Sequence, residues 1–264
     1  MTATKQLTLS LFRHSKGLWN GNRNSIFLTI SASNKNWRNF CSNAKQQLKA
    51  NETSLLEFKG EWSPANREKF IRDMRVMVDF ITEDEEAKLL EEIEPYMKRL
   101  RYEYDHWDDA IHGFRETERK HWYPHNRQVL ERVRATGFQE EIMPYVHILD
   151  LAAEGVIKPH IDSTRYCGHT IAGISLLSDS VMRLVYAINK TESGTSEDYR
   201  SQPKAILENN YYVDILLPRR SLYIMSNYAR YDFTHEILAN KESSFMGQPV
   251  TKDRRISIIC RNEP

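Results

Sequence analysis

Two histidines and one aspartate have the types and order that a mononuclear metal site requires. His160 and Asp162 are separated by one residue, and His235 follows 75 positions after His160. Alternate residues of an extended strand point to the same side, so His160 and Asp162 can offer a nitrogen and an oxygen to one ion. Two imidazoles and a carboxylate are typical of Fe(II) sites that keep positions open for oxygen and a co-substrate. We therefore predict that these three residues bind a metal and carry catalysis.

The short His-x-Asp pattern leaves other interpretations open. The histidines can be ordinary packing or surface residues, and two histidines with a carboxylate also bind zinc. The remaining histidines lack a comparable context, and packing or surface roles are predicted for them: His14, His106, His112, His121, His125, His147 and His169.

A second group of polar residues lies near the end of the chain, in the predicted strand Arg255–Cys260. Arg255 and Ser257 alternate with isoleucines, so both point to one side. A guanidinium binds a carboxylate through two parallel hydrogen bonds, and an unpaired arginine inside a fold is costly. Arg255 therefore indicates an anionic ligand such as a dicarboxylate co-substrate, to which Ser257 and Tyr223 can also donate.

The chain from Trp62 predicts one folded domain, residues 62–264, mainly β with flanking helices. Thr82 and Glu85 form a capping-box pattern before apolar residues at helical spacing. Short strand-like segments separated by turn residues are typical of a sandwich or barrel. The predicted strands are Val76–Ile81, Thr170–Leu177, Val181–Tyr186, Tyr211–Leu217, Ser221–Met225 and Arg255–Cys260. The polar stretch 189–205 predicts a surface loop between strands.

Residues 1–51 differ in composition from the rest of the chain. They carry eight of the 37 basic residues, no Asp or Glu, and many Ser, Thr and Asn residues. This composition is typical of a mitochondrial transit peptide, so we expect a disordered segment that directs the protein to mitochondria. A basic tail that binds nucleic acid or anionic lipid is the alternative. The chain has no run of 18 apolar residues, so no membrane span is predicted.

Charge also bears on the class of substrate. Outside residues 1–51 the chain has 29 basic and 36 acidic residues, a formal charge of −7. Such a body is poorly suited to a long polyanion, which disfavours duplex DNA. The segment Arg115–Arg134 combines six basic residues with Trp122 and Tyr123, and such a mixture can hold single-stranded RNA. An ordinary exposed helix and loop is the alternative for this segment.

The order His-x-Asp, His, Arg-x-Ser-x-x-x-Arg resembles the AlkB-type branch of the Fe(II)- and 2-oxoglutarate-dependent dioxygenases. The resemblance covers about residues 65–262 and is dense around the candidate ligands. Within this family the chain is similar to a mitochondrial branch linked to alkylation-induced programmed necrosis and fatty-acid metabolism. The resemblance implies a double-stranded β-helix, or jelly roll, that uses Fe(II), 2-oxoglutarate and dioxygen. It also implies a location in the mitochondrial matrix, in agreement with the composition of residues 1–51.

Carried over by position, His160, Asp162 and His235 match the iron ligands of the family. Arg255 matches the arginine that grips the far carboxylate of 2-oxoglutarate. Two further co-substrate contacts are matched by Tyr223 and Arg261.

The chain also departs from the family pattern in two places. Leu149-Asp150-Leu151 stands where bacterial members have Asn-x-Tyr, and Ser257 stands where many members have Asn. The first departure leaves the contacts to the near end of the co-substrate less secure, although Tyr223 can compensate.

The expected function is a mitochondrial dioxygenase that hydroxylates a protein or another non-duplex substrate. Demethylation of mitochondrial RNA uses the same chemistry, and the site motif does not separate the two reactions. A regulatory protein of low activity, which uses the oxygenase scaffold to bind partners, is the alternative from a different class.

Overall fold

A computed structural model describes residues 53–104, 110–187 and 211–264. The predicted transit peptide, residues 1–51, and the predicted loop 189–205 lie outside the described residues. The helices are α1 (Pro64–Asp73), α2 (Glu83–Met97), α3 (Pro124–Gly137) and α4 (Asn227–Tyr231). The strands are β1 (Leu56–Lys59), β2 (Met74–Met77), β3 (Ile111–Arg119), β4 (Val146–His160), β5 (Thr170–Leu176), β6 (Ser180–Tyr186), β7 (Tyr212–Leu217), β8 (Leu222–Ser226), β9 (Phe233–Ile237), β10 (Ser244–Phe245), β11 (Gln248–Pro249) and β12 (Arg255–Arg261).

Ten of these strands form one antiparallel sheet that curls on itself. Its order is β1-β7-β6-β9-β4-β12-β5-β8-β2, with β3 paired to β4 outside this path. The two short strands β10 and β11 form a separate hairpin. The predicted mainly β jelly roll with flanking helices is confirmed. No helix in the described ranges is long and apolar enough to cross a membrane.

The long strand β4 belongs to both halves of the curled sheet. Its residues 147–151 pair with β12, whereas Ile157 and His160 pair with β9. Between these two parts, β4 approaches β3 so closely that a Cβ on Gly155 would stand 2.5 Å from the carbonyl oxygen of Gly113. Gly113 itself has a φ of 67° at a register shift in β3, which a side chain would strain. Two glycines therefore let β4 continue from one half into the other.

Alternate residues of the sheet contribute to two apolar layers. The inner layer lies within the curl and includes Leu149 and Leu151 of β4 and Ile259 of β12. The outer layer packs α2 and α3 against the sheet and includes Ile256 and Ile258 of β12. Because side chains alternate along a strand, the odd-numbered positions of β12 face inward and the even-numbered positions face the helices.

Local sequence signals account for some element boundaries but not all. The capping box at α2 is present, with Thr82 and Glu85 each accepting a backbone hydrogen bond from the other. The predicted strand Val76–Ile81 is wrong beyond Met77, where β2 ends. Asp79 adopts a φ of 48°, which turns the chain out of the sheet towards α2. The interpretation of Arg115–Arg134 as a helix and loop is also wrong at its start, because residues 115–119 belong to β3.

A buried ionic network connects β3, β4, α2 and Arg254, the residue just before β12. Asp150 has no exposed side-chain surface and accepts hydrogen bonds from Arg115 Nε (2.7 Å) and Arg254 Nη2 (2.7 Å). The Tyr102 hydroxyl donates to it over 3.1 Å, and Arg254 also pairs with Glu94 of α2 at 2.7 Å. Since Asp150 points to the helix side of β4, its neighbours Leu149 and Leu151 point into the curl.

Replacing Asp150 should destabilise the fold strongly. Asp150→Ala leaves Arg115 and Arg254 without their shared acceptor, and breaking such a buried pair costs about 3 kcal/mol. Equilibrium unfolding in urea measures this difference. Glu131→Ala, which removes the partner of Arg134 in an exposed ion pair, serves as the control and should leave the unfolding midpoint unchanged. Equal midpoints for Asp150→Ala and the wild type would contradict a stabilising network.

Candidate metal centre

The structure brings the three predicted metal ligands together at one end of the curl. His160 is the last residue of β4 and lies directly opposite His235 of β9, with ring centroids 4.2 Å apart. Asp162 Oδ1 lies 3.3 Å from His160 Nε2 and 3.8 Å from His235 Nε2. The three donor atoms all lie within 4.8 Å of one another. An ion with bonds of about 2 Å can bridge donor atoms that face one another across such distances.

The protonation of the three residues suits a divalent metal. His160 Nδ1 lies 2.8 Å from the Lys158 carbonyl, to which it donates, so Nε2 keeps its lone pair for a metal. Burial and the neighbouring His160 lower the pKa of His235 to about 3, so its ring is neutral. Burial by itself would raise the pKa of Asp162. The close contact with His160 and the positive charge of Arg261 nevertheless hold that pKa well below its usual value.

Arg255 carries a positive charge inside the curl without an anionic partner among the described residues. Its side chain is 2% exposed, Nη2 donates to Ser175 Oγ over 2.8 Å, and Nε has no hydrogen-bond partner in the described part of the chain. Burial without a compensating carboxylate lowers its pKa to about 10. A buried guanidinium is costly unless it is paired. The donor set therefore fits a ligand that brings its own carboxylate.

Three further predicted co-substrate contacts also lie on the inner side of the curl. Tyr223 of β8 is buried in the inner layer, and Ser257 is buried two residues beyond Arg255 on the same side of β12. Arg261, at the end of β12, places Nη2 3.8 Å from Asp162 Oδ2. The sheet thus brings the predicted metal ligands and the predicted co-substrate contacts to one interior.

Sequence reasoning missed two residues that shape this interior. Ser175 of β5 lies opposite Ser257 and is the hydrogen-bond acceptor of Arg255. Gly173 of β5 lies opposite Tyr223, and a Cβ there would stand 2.4 Å from the Tyr223 ring. The tyrosine ring therefore lies across bare backbone. The sequence does not indicate a role for a serine or a glycine within an apolar strand. Their contacts become apparent only when the partner strand is known.

Arg230 is a second buried arginine with little compensation and was also not predicted. It lies on α4, is 1% exposed, and donates to the Cys167 carbonyl over 3.5 Å. Its guanidinium lies 4.9 Å from the centre of the Tyr231 ring, and its charge further lowers the pKa of His235. Arg230 thus adds positive charge close to His235 and the other predicted metal ligands.

The departure from the family pattern at Leu149-Asp150-Leu151 places apolar side chains along the same interior. Leu149 lies opposite Ser257, and Leu151 lies opposite Arg255, on the paired strands β4 and β12. These leucines provide no hydrogen bond to a co-substrate. They instead line the interior with apolar surface. The low local dielectric of such a surface strengthens ionic interactions beside it.

The comparisons with known proteins agree with this geometry. No protein-family model matches the chain. Two relatives from Mus musculus and Bos taurus, each named alpha-ketoglutarate-dependent dioxygenase alkB homolog 7, mitochondrial, are 46% identical over 187 residues. Both alignments cover 70% of this chain and 76% of the relative. The uncharacterized protein L905 of Acanthamoeba polyphaga mimivirus is 26% identical over 203 residues, covering 74% of this chain and 87% of that protein.

Similar solved structures are more distant. The epimerase SnoN, in complex with Fe3+, alpha ketoglutarate and nogalamycin RO, has a TM-score of 0.49 at 13% identity and covers 76% of this chain and 85% of its own. The structure of OsALKBH1 has a TM-score of 0.46 at 10% identity, with 72% of this chain and 98% of that chain covered.

The class of the protein follows from the fold and the site together. A jelly roll that brings two histidines and an aspartate together near a buried arginine with no carboxylate partner among the described residues is consistent with an oxygenase that uses Fe(II) and 2-oxoglutarate. With 46% identity over three quarters of two relatives, the chain belongs to the AlkB homolog 7 family of alpha-ketoglutarate-dependent dioxygenases. Alpha-ketoglutarate is 2-oxoglutarate, and Fe(II) and 2-oxoglutarate are accordingly the cofactor and co-substrate.

Replacing Arg255 should weaken binding of 2-oxoglutarate without lowering the stability of the protein. Arg255→Met substitutes an apolar side chain for a buried charge, so the variant without ligand should be at least as stable as the wild type. A ligand that binds only the folded state raises the midpoint of thermal unfolding. Mn(II) with 2-oxoglutarate should therefore raise the midpoint of the wild type further than Mn(II) does by itself, and Arg255→Met should lose this increment. The exposed variant Lys241→Met should keep it. An undiminished increment in Arg255→Met would exclude the carboxylate contact.

A methyl group at position 173 should weaken 2-oxoglutarate binding through Tyr223. Gly173→Ala must displace the Tyr223 ring, whose hydroxyl would lie 2.7 Å from the new Cβ. Loss of one hydrogen bond to a charged group lowers affinity roughly tenfold, as calorimetric titration of the Mn(II)-loaded protein would measure. Tyr223→Phe should show a similar loss, and the double variant should lose little more. If Tyr223→Phe weakens 2-oxoglutarate binding but Gly173→Ala does not, the close approach of the Tyr223 ring to Gly173 has no role in binding.

Proposed function

We propose that one face of the curl holds the Fe(II) of this dioxygenase and that the neighbouring interior receives 2-oxoglutarate. The proposed iron ligands, which are also the catalytic residues, are His160, Asp162 and His235. The proposed co-substrate contacts are Tyr223, Arg255, Ser257 and Arg261. The observation that carries this proposal is the buried charge of Arg255, which has no carboxylate partner among the described residues and lies on the inner face of the same sheet.

Each side chain has a separate task in this proposal. The imidazoles of His160 and His235 and the ionised Asp162 supply two nitrogens and one oxygen to the metal. Arg255 binds the far carboxylate of 2-oxoglutarate and so orients the co-substrate, while Leu151 beside it limits access of water. When bound, Fe(II), 2-oxoglutarate and dioxygen supply an oxidation of a C–H bond that is coupled to decarboxylation of 2-oxoglutarate to succinate.

We propose that the primary substrate is a protein side chain rather than a nucleic acid. Four of the six basic residues between positions 115 and 134 are already paired with acidic side chains. These pairs are Arg115–Asp150, Arg119–Glu92, Arg132–Glu85 and Arg134–Glu131. Their charge is largely neutralised within the protein, which leaves little for a phosphate backbone. The net negative charge outside residues 1–51 supports the same choice.

We further propose that the protein works in mitochondria, in the matrix. The two relatives at 46% identity carry the word mitochondrial in their names. Residues 1–51, with eight basic and no acidic residues, have the composition of a transit peptide. A role in alkylation-induced programmed necrosis and fatty-acid metabolism rests on the resemblance to this branch and is part of the proposal.

The proposed reaction can be tested by its products. Wild-type protein with Fe(II) and 2-oxoglutarate should release more succinate when a mitochondrial extract is added, because the substrate couples the oxidation. His160→Ala protein should give only the background level. Mass spectrometry of the extract should find peptides with one added oxygen only after incubation with the wild type. Succinate release that the extract does not change would instead favour a low-activity regulatory protein.

Titration of RNA binding against salt, with mass spectrometry of RNA from the same extract, separates protein from RNA as the substrate. We expect weak binding of single-stranded RNA at physiological salt, with a shallow dependence on salt concentration. Micromolar affinity with a steep salt slope, together with loss of one methylene from RNA in the extract, would overturn the choice of a protein substrate. Zinc in the purified protein, with no stimulation by added Fe(II), would argue against an iron centre.

A further inference from the structure

Glu116, His147 and Arg261 form a hydrogen-bonded chain that ends beside the proposed metal ligand Asp162. Glu116 lies on β3, His147 on β4 and Arg261 on β12, which are three adjacent strands. His147 Nε2 lies 2.8 Å from Glu116 Oε2, and His147 Nδ1 lies 3.2 Å from Arg261 Nη2. Arg261 Nη2 in turn lies 3.8 Å from Asp162 Oδ2.

The donors and acceptors in this chain allow one arrangement of protons. A guanidinium only donates hydrogen bonds and does not lose its proton in proteins. His147 Nδ1 must therefore accept from Arg261, and the ring proton must lie on Nε2. That proton is donated to the carboxylate of Glu116. Glu116 thus selects the tautomer of His147 that can hold Arg261.

The distance between Arg261 and Asp162 indicates what this series of hydrogen bonds does. At 3.8 Å the two groups attract each other, but the distance is longer than a direct hydrogen bond. An arginine without another acceptor closes on a neighbouring carboxylate through two parallel hydrogen bonds. Such a pair would occupy the oxygens that Asp162 offers to a metal. The hydrogen bond from Arg261 Nη2 to His147 competes with such a pairing.

We propose that His147, oriented by Glu116, is a positioning residue that keeps Arg261 off the metal-binding carboxylate and directs it towards the co-substrate. This inference rests on the proposed function of the same site and deepens it. His147 is mostly buried, with 15% of its side chain exposed, and Arg261 Nε is buried without a partner in the described part of the chain. An incoming carboxylate can therefore still find a donor on Arg261.

The first test measures where the proton of His147 lies. Nitrogen-15 chemical shifts of the labelled, metal-free protein report the tautomer of each histidine ring. The wild type should show His147 protonated at Nε2, and Glu116→Leu should show a mixture of the two tautomers. Glu118→Leu is the matched control, because Glu118 lies on the same strand and its charge also acts on Arg261. A wild-type proton on Nδ1, or the same change in Glu118→Leu as in Glu116→Leu, would overturn the proposal.

The second test measures binding directly, by calorimetric titration of Mn(II) and then of 2-oxoglutarate. His147→Leu should weaken both, on the order of tenfold, as expected when a residue that orients a metal site is lost. His147→Gln can accept from Arg261 and donate to Glu116, so it should recover most of the affinity. It also keeps the test decisive should His147→Leu fold poorly. Wild-type affinities in His147→Leu, or no recovery in a folded His147→Gln, would contradict the positioning role.

The two tests also distinguish failure of this inference from failure of the proposed function. If the wild type binds Mn(II) and 2-oxoglutarate and His147→Leu does so equally well, the positioning role is wrong and the site stands. If the wild type binds neither, the proposed function fails together with any role of His147 towards a co-substrate.

Discussion

The pairing of β4 with β12 near its start and with β9 at its end is the constraint on which the rest of the site depends. Its first part pairs with β12, and its last residues pair with β9. The β9 pairing places His160 opposite His235, and the β12 pairing places Leu151 opposite Arg255. One continuous strand therefore links the candidate metal face to the candidate co-substrate pocket. Since a slip of one residue would turn every side chain to the other face, the register of β4 is decisive.

Buried charged side chains form ion pairs in one part of the molecule, whereas in another part they have no acidic partner among the described residues. On the helix side of the sheet, Asp150 is shared by two arginines, and at the β6–β7 pair Arg183 binds Asp214 at 2.6 Å. On the inner side, Arg255 has no carboxylate partner among the described residues. The buried Lys252 donates to the backbone carbonyls of Ala152 and Ala153. Burial and the charge of Arg255 lower the pKa of Lys252 to about 8. The fold thus holds buried positive charge at a cost in stability. Binding of an anionic ligand beside Arg255 would offset that cost.

Much of the site could be predicted from sequence because its signals are local. Alternation along Arg255–Arg261 places the polar side chains on one face, and the structure has the same alternation. The strand containing Gly155 and Pro159 was not predicted, because turn-forming residues interrupt its apolar pattern. β3 was missed for another reason. Ile111 and Phe114 are the only large apolar residues among its nine, so the segment shows no apolar alternation, and polar members such as Arg115 are held by ion pairs.

By itself, the sequence determined the kind of chemistry. Ligand types, the spacing of His160 and Asp162 and the polar face of the last strand follow from residue identity and from the geometry of an extended chain. Only the tertiary structure decided which residues surround them. The contacts of Ser175 with Arg255, of Gly173 with Tyr223 and of His147 with Arg261 cross between strands that are distant in sequence. A serine, a glycine and a histidine have no distinctive role until strand register supplies their neighbours, because register is set by packing of the whole sheet.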